Sequence, residues 1–241
     1  MELDSEPNAR EFMTSMKYQL FFLLSLGAVE ITSAQAAPVA RQGVTTDVSI
    51  VAPAATQASV QKAVQILANN ILKGNFGYAI DNMYPRYKKK QEKLLGEIID
   101  AKEIAARTSA QLNNMGVTIT SYTAGKPVGM FKVWQQINPK IKMKIDQGIN
   151  VKLKGSDVFH NWMFIVPTTQ VWTFASQKGR PPRKAQIEGF QIAVAQELGA
   201  PGQEKWTFIE GSGMTTRELR SVFPSLPVQL TLPKPSKREI K

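Results

Sequence analysis

The sequence predicts an α+β domain in which helices cover one face of a bent antiparallel sheet. Two observations carry this reading: apolar residues recur at helical spacing from Val60 to about Asn113, and after Gly116 they alternate with polar ones. Helices that run out before the strands begin give segregated layers rather than repeated βαβ units. With 241 residues, 43% hydrophobic and 20% charged, the chain has material for a single core plus unstructured ends.

Val60, Ala63, Val64, Leu67, Ala68 and Ile71 mark the first helix, with Thr56 or Ser59 as N-cap and Gly74 as its stop. In NFGYAIDNMYP a short second helix stacks Phe76, Ala79 and Met83 and is expected to halt at Pro85. A third, from about Lys88 to Asn113, places Leu94, Leu95, Ile98, Ile99, Ala105, Ala106 and Leu112 on a broad apolar face.

Strands are expected at Val117–Tyr122, Gly129–Gln135, Val158–Val166, Val171–Ala175, Gln186–Ala195 and Trp206–Ile209. Between them, IKMKIDQGINVKLKG reads as a hairpin. Ile141, Met143 and Ile145 alternate with Lys140, Lys142 and Lys144; beyond Asp146-Gln147-Gly148, Ile149, Val151 and Leu153 alternate with Asn150, Lys152 and Lys154. A three-residue loop ending in glycine suits a left-handed last position. One face of this hairpin is apolar and the other a lysine ladder. Along QIEGFQIAV, Ile187 is out of phase with Phe190, Ile192 and Val194, and a bulge at Gly189 would restore the register.

The N-terminus has the features of an export signal. Leu20–Val29 is apolar, a lone Lys17 precedes it, and Ala34 and Ala36 hold the small positions of an A-x-A cleavage site before Ala37. About ten apolar residues are too few for a membrane span, which needs roughly twenty. The organisation expected is an acidic leader over 1–15 that a later start at Met13 or Met16 would remove, a signal peptide over 16–36, a flexible linker over 37–56, the domain over 57–233 and a basic tail over 234–241. Removing residues 1–36 takes away two basic residues (Arg10, Lys17) and five acidic ones, so the net charge rises from +11 to +14.

Composition also excludes chemistry. With no cysteine there is no disulfide framework, thiolate zinc site or thiol nucleophile, and a single histidine, His160, leaves little scope for a His-based metal centre or a Ser/His/Asp triad. No cofactor motif is present.

Two phrases carry a resemblance. LANNILKGNFGYAIDNMYPRY, with Asp81, Met83, Tyr84 and Pro85, and EKWTFIEGSGMTTRELRSVFPSLP resemble the opening helices and the last strand and helix of exported bacterial members of the nuclear-transport-factor-two-like superfamily. The resemblance spans roughly Val60 to Pro233 and implies a cone-shaped α+β fold with an interior pocket. Some enzymes of that superfamily use an Asp or an Asp/His pair for proton transfer or dehydration, but no motif transfers those roles to residues of this chain, and the superfamily includes many non-enzymatic members.

The closing phrase is accounted for by folding alone. Trp206 and Phe208 share one strand face, Gly211 and Gly213 break the strand, Thr215 and Glu218 form a capping box, Leu219 and Val222 turn inward, and Pro224 ends the helix. His160 in VFHNWMF shares a face with Val158, Trp162 and Phe164, where it and Trp162 would line a pocket; the plainer reading is a hydrogen-bonded strand-edge histidine. Asp81 and Tyr84 are a candidate acid pair or, more simply, a helix-surface carboxylate and a core-edge ring.

Basic clusters lie at Arg86–Lys93, in the ladder Lys140, Lys142, Lys144, Lys152 and Lys154, at Lys178–Lys184 and in the tail. They read as an anion-binding surface for envelope lipid or glycan, or as solvated faces that block strand aggregation. Nucleic acid is a poor match because no recognition module accompanies the charge. The function expected is non-catalytic binding through the pocket or the basic surface, in the periplasm or outside the cell, with a lyase or isomerase carrying pocket acid and base residues as the rival. A homodimer is compatible with either. N-terminal sequencing of the exported protein should start at Ala37; a species retaining Met1 or Met16 would overturn the cleavage assignment.

Overall fold

The computed structural model describes residues 51–137, 147–148, 158–176, 181–196, 200–227 and 229–240. Helix α1 (Ala54–Leu72) buries Val60, Val64, Leu67, Ala68 and Ile71 as one stripe, as their spacing requires. It starts earlier than expected, and the Pro53 carbonyl accepts its first helical bond from Gln57 N at 3.0 Å. Thr56 and Ser59 are not its caps because both are used in tertiary contacts. Thr56 Oγ1 donates to Glu204 Oε1 at 2.5 Å, and Ser59 Oγ accepts from Trp206 Nε1 at 2.9 Å. The expected linker boundary at residue 56 moves accordingly, since Ala52 and Thr56 are already buried.

Helix α2 (Gly77–Asp81) buries Ile80 and ends well before Pro85. What stops it is a backbone exchange with residue 208: Phe208 N donates to Asn82 O and Tyr84 N donates to Phe208 O, both at 2.8 Å, in a parallel bridge. Pro85 then opens α3 (Pro85–Leu95) instead of closing a helix, at a position where no amide donor is needed. The single helix expected over 88–113 is two. Gly96, at φ +73, ends α3, and the Asp100 carboxylate caps α4 (Ala101–Asn114) by accepting from Glu103 N at 2.8 Å. The expected apolar face is therefore broken: Ile99 and Leu112 are buried, whereas Leu94 and Ile98 are 57% and 84% exposed.

The described strands form one six-stranded antiparallel open sheet: β1 (Val117–Ala124), β2 (Gly129–Ile137), β3 (Val158–Phe174), β4 (Arg183–Ala195), β5 (Trp206–Glu210) and β6 (Ser236–Ile240), with α5 (Thr216–Val222) between the last two. β3 and β4 are a long central pair, laddered without a break from Met163 opposite Val194 to Phe174 opposite Arg183. Each carries two short strands along its outer edge. β2 and β1 divide β3 between them, and β5 and β6 divide β4. The two strands expected over 158–166 and 171–175 are thus one. Pro167 is tolerated inside it because its carbonyl, and hence its missing amide, faces the gap between β1 and β2, where Gly125 N donates to that carbonyl at 2.8 Å. Residues 234–241 are also more than a tail, since Ser236–Ile240 pairs with Lys184–Glu188.

Both faces of the sheet are covered, not one. On the first, α1 packs Val60, Val64 and Leu67 with Phe164, Val166, Ala193, Trp206 and Phe208. On the second, Leu219, Val222 and Phe223 pack with Met163, Ile165, Phe190, Ile192 and Ile209. This removes the need for a bulge at Gly189: Ile187 packs on the first core and Phe190 in the second, so their opposite phase is correct in an unbroken ladder. Gly189 has another reason to lack a side chain, because a Cβ there would lie 2.6 Å from Ser212 Oγ.

The lysine hairpin lies outside the described residues except for its turn, where Gly148 has the expected left-handed φ of +76. The closing phrase folds as expected, with Thr215 and Glu218 making the reciprocal capping box and Leu219 and Val222 buried. Trp206 is buried, stands edge-on to Phe164 with centroids 5.5 Å apart, and donates to Ser59. Trp206→Ala should cost about 3–5 kcal/mol, against a total of about 5–15 kcal/mol for a domain of this kind. A denaturant titration checks this, and an unchanged midpoint would refute the packing role.

Candidate functional site

Along β5, Trp206, Phe208 and Glu210 fall on one face, but the third position is a carboxylic acid. Beyond it the chain turns sharply at Gly211, whose Cβ, if present, would lie 2.2 Å from the Phe190 ring. The turn brings Ser212 back onto Glu210: Ser212 N donates to Oε1 at 3.1 Å and Ser212 Oγ to the same atom at 2.6 Å. Gln191, directly opposite in β4 and buried, donates through Nε2 to Glu210 Oε2 and to the Tyr122 hydroxyl, the latter at 3.2 Å. Thr168 and Gln170 of β3 add hydrogen bonds to the same hydroxyl. Four strands therefore contribute to one enclosed polar layer beside the first core.

Burial raises the Glu210 pKa above its ordinary value, and the hydrogen bonds from Ser212, Gln191 and the Gly211 amide only partly oppose it. The residue as a whole is partly covered while its carboxyl is closely surrounded. Tyr122 rises above the usual tyrosine range, first through burial and then through the Glu210 charge. Tyr87 of α3 is pushed up to about 12 by burial, then by Glu218 and Glu210, against a hydrogen bond from Gln91. Chemically, the layer offers one carboxyl that holds its proton to higher pH than usual, plus neutral donors and acceptors that satisfy it.

The residues expected from sequence are dispersed. Asp81 is exposed at the last position of α2, while Tyr84 is buried in the second core, its ring stacked on Phe223 at 5.2 Å, so they form no acid pair. Burial raises the Tyr84 pKa, with Arg86 opposing. Trp162 is half-buried in an aromatic row, 5.8 Å from Phe164, with Lys132 Nζ 5.1 Å from its ring centroid. His160 is placed by its backbone in β3 opposite Trp134, and its side chain lies outside the described residues, as do Lys140, Lys142, Lys144, Lys152 and Lys154 and the cleavage pair Ala36–Ala37.

Two of the basic clusters, however, are brought together. Arg183 and Lys184 open β4, and Lys237 and Arg238 lie on β6 opposite Ile187 and Gln186, all four exposed, with Glu188 and Glu239 the acidic members of the same edge. The α3 lysines form a separate group, one of which, Lys90, donates to Ser221 Oγ at 2.5 Å. Among the described residues no three His, Asp or Glu side chains gather as a metal site, and no helix is long and apolar enough to cross a membrane. No family model, curated protein or solved structure matches the chain.

The Glu210 proton gives a signed prediction. A folded-state pKa above the unfolded one means a stability contribution that is complete below the unfolded value and lost as pH rises through the folded value. Glu210→Gln keeps the shape of the side chain, and a flipped Gln191 amide pairs with it. Melting curves should show wild type losing ground to Glu210→Gln as pH rises from about 4.3 toward neutrality, and parallel curves would refute the assignment.

Proposed function

We propose that this chain is a non-catalytic binding protein, exported and cleaved after Ala36, that holds an anionic envelope surface through the basic edge of β4 and β6. The observation that carries this is the convergence of Arg183, Lys184, Lys237 and Arg238, from two clusters about fifty residues apart in sequence, on adjacent strands. Pairing β6 on β4 places Arg238 opposite Gln186 and Lys237 opposite Ile187, within four positions of Arg183 and Lys184, and partly fixed cations lose less freedom on meeting an anion than free tails do. A relationship to the nuclear-transport-factor-two-like superfamily, with its cone shape, belongs to this proposal. In its favour, the two phrases that carry the resemblance hydrogen-bond to each other at Asn82, Tyr84 and Phe208.

One observation favours the rival class. A carboxyl with a raised pKa in a polar layer is what a lyase or isomerase requires of its general acid, and Glu210 is that group. Both carboxyl oxygens already accept hydrogen bonds, however, from Ser212 and from Gln191, as in a structural tie. Binding is therefore the better-supported reading.

Sedimentation with lipid vesicles tests it. The purified protein should bind vesicles containing phosphatidylglycerol, release at high salt, and ignore neutral phosphatidylcholine. Each basic side chain near such a surface contributes about 1 kcal/mol, so Arg183→Ala with Lys184→Ala should weaken binding roughly thirty-fold. A parallel titration with a soluble uronic-acid polysaccharide separates a glycan from a lipid target. Equal binding to neutral and anionic vesicles, with none to the polysaccharide, would reject the proposal.

A further inference from the structure

We propose that the turn joining α3 to α4 is a lipid-insertion point, which places Leu94 and Ile98 in the interface of an anionic phospholipid bilayer while the cations of α3 hold its headgroups. Ile98 is 84% exposed, the highest value for a large apolar side chain among the described residues, and Leu94, four positions earlier, is 57% exposed. The turn that presents them is tied down. Gly96 bends the chain at φ +73, Ile99 is buried, and Ile99 N donates to Glu92 Oε1 at 3.3 Å. Directly afterwards the Asp100 carboxylate caps α4 by accepting from Glu103 N. Anchoring Ile99 inward holds Ile98 out in solvent, where an isoleucine gains nothing from the fold.

The charges beside the pair identify what it meets. Tyr87 and Gln91 turn one side of α3 toward the protein, Tyr87 packing on the second core. On the opposite side Arg86, Lys89 and Lys93, at i, i+3 and i+7, form an exposed stripe that runs up to Leu94. Lys90, next to the stripe, is held by Ser221. Long cationic side chains lay their stems along apolar surface and keep their heads among phosphates, so cations that lead into exposed aliphatic side chains match the two layers of an anionic bilayer interface. Of the acidic groups here, Glu92 is engaged by the Ile99 amide and Asp100 by α4, while Glu97 is exposed between Leu94 and Ile98 and opposes the attraction. This contact stands apart from the basic edge of β4 and β6, and it requires lipid, because a polysaccharide offers no apolar layer to Leu94 and Ile98.

The chain has no cysteine, so a single introduced thiol reports on one place. Ile98→Cys and, as a control on the exposed side of α1, Ala58→Cys are each labelled with the environment-sensitive dye NBD and mixed with vesicles. On phosphatidylglycerol vesicles the dye at position 98 should brighten severalfold, shift to the blue and be dimmed by a quencher carried on the lipid tails. The dye at position 58, and either dye with phosphatidylcholine, should not respond. In unlabelled protein, Leu94→Ser with Ile98→Ser should weaken binding about tenfold without moving the melting temperature, since both side chains are exposed. Lys89→Ala with Lys93→Ala should weaken it roughly thirty-fold, and Glu97→Gln should strengthen it. A response at position 98 that persists when Arg183 and Lys184 are replaced by alanine supports insertion even where the β4 and β6 edge proves silent. A dye at position 98 that stays unchanged while the protein sediments with phosphatidylglycerol vesicles overturns insertion and leaves that edge as the contact. A response that rises with protein concentration in the absence of vesicles also overturns it, because a second copy then covers the turn, as does failure to bind either vesicle.

Discussion

The parallel bridge between Asn82–Tyr84 and Phe208 is the contact on which the arrangement of layers depends. It joins residues about 125 apart in sequence through two backbone hydrogen bonds, and what it joins differs on the two sides. Phe208 belongs to the first core, while Tyr84 reaches the second and stacks on Phe223. The bridge also covers the outer edge of β5, which would otherwise present unpaired backbone groups. It decides where α2 ends and so where Pro85 starts α3. Without it α2 and the start of α3 would lose their backbone tie to the last core strand.

Alternation and helical period located the strands and the first helix because those patterns depend on burial of one face. They failed where a residue answered to a distant partner. Thr56 and Ser59 looked like caps, and only the positions of Glu204 and Trp206 show why they are not. Ile187 looked misaligned because one buried face was assumed, whereas the sheet is covered on both. Of the polar layer, no member was named from the sequence as a site residue, and the last expected strand ends at Ile209; the signal that could have found Glu210 is that it continues the phase of two buried aromatics. Gln191 shares a phase with Ala193 and Ala195 and could have been found in the same way. Tyr122 could not, because a register shift between Ile119 and Ser121 carries it onto the same face as Val117.

That polar layer and the basic edge show two ways of placing charge in one domain. Glu210 is enclosed and satisfied by Ser212 and Gln191, so its cost is borne through its proton affinity. The cations of β4 and β6 are exposed to water, where like charges on neighbouring strands are tolerated because solvent and salt screen them. Even there the charges keep partners in the chain: Lys237 lies over the Phe174 ring and Arg238 donates to Gln186.

The ties between α1 and the start of β5 have a consequence for the order in which the molecule is made. Thr56 waits for Glu204 and Ser59 for Trp206, at sequence separations of 148 and 147 residues. At a synthesis rate of about 5–20 residues per second, roughly seven to thirty seconds separate the making of the first helix from that of its partners. During that interval its apolar stripe lacks Ala193, Trp206 and Phe208 of β4 and β5 in the first core, and the β3–β4 ladder is complete only once residue 194 is made. The first core is thereby completed only when most of the chain has been made.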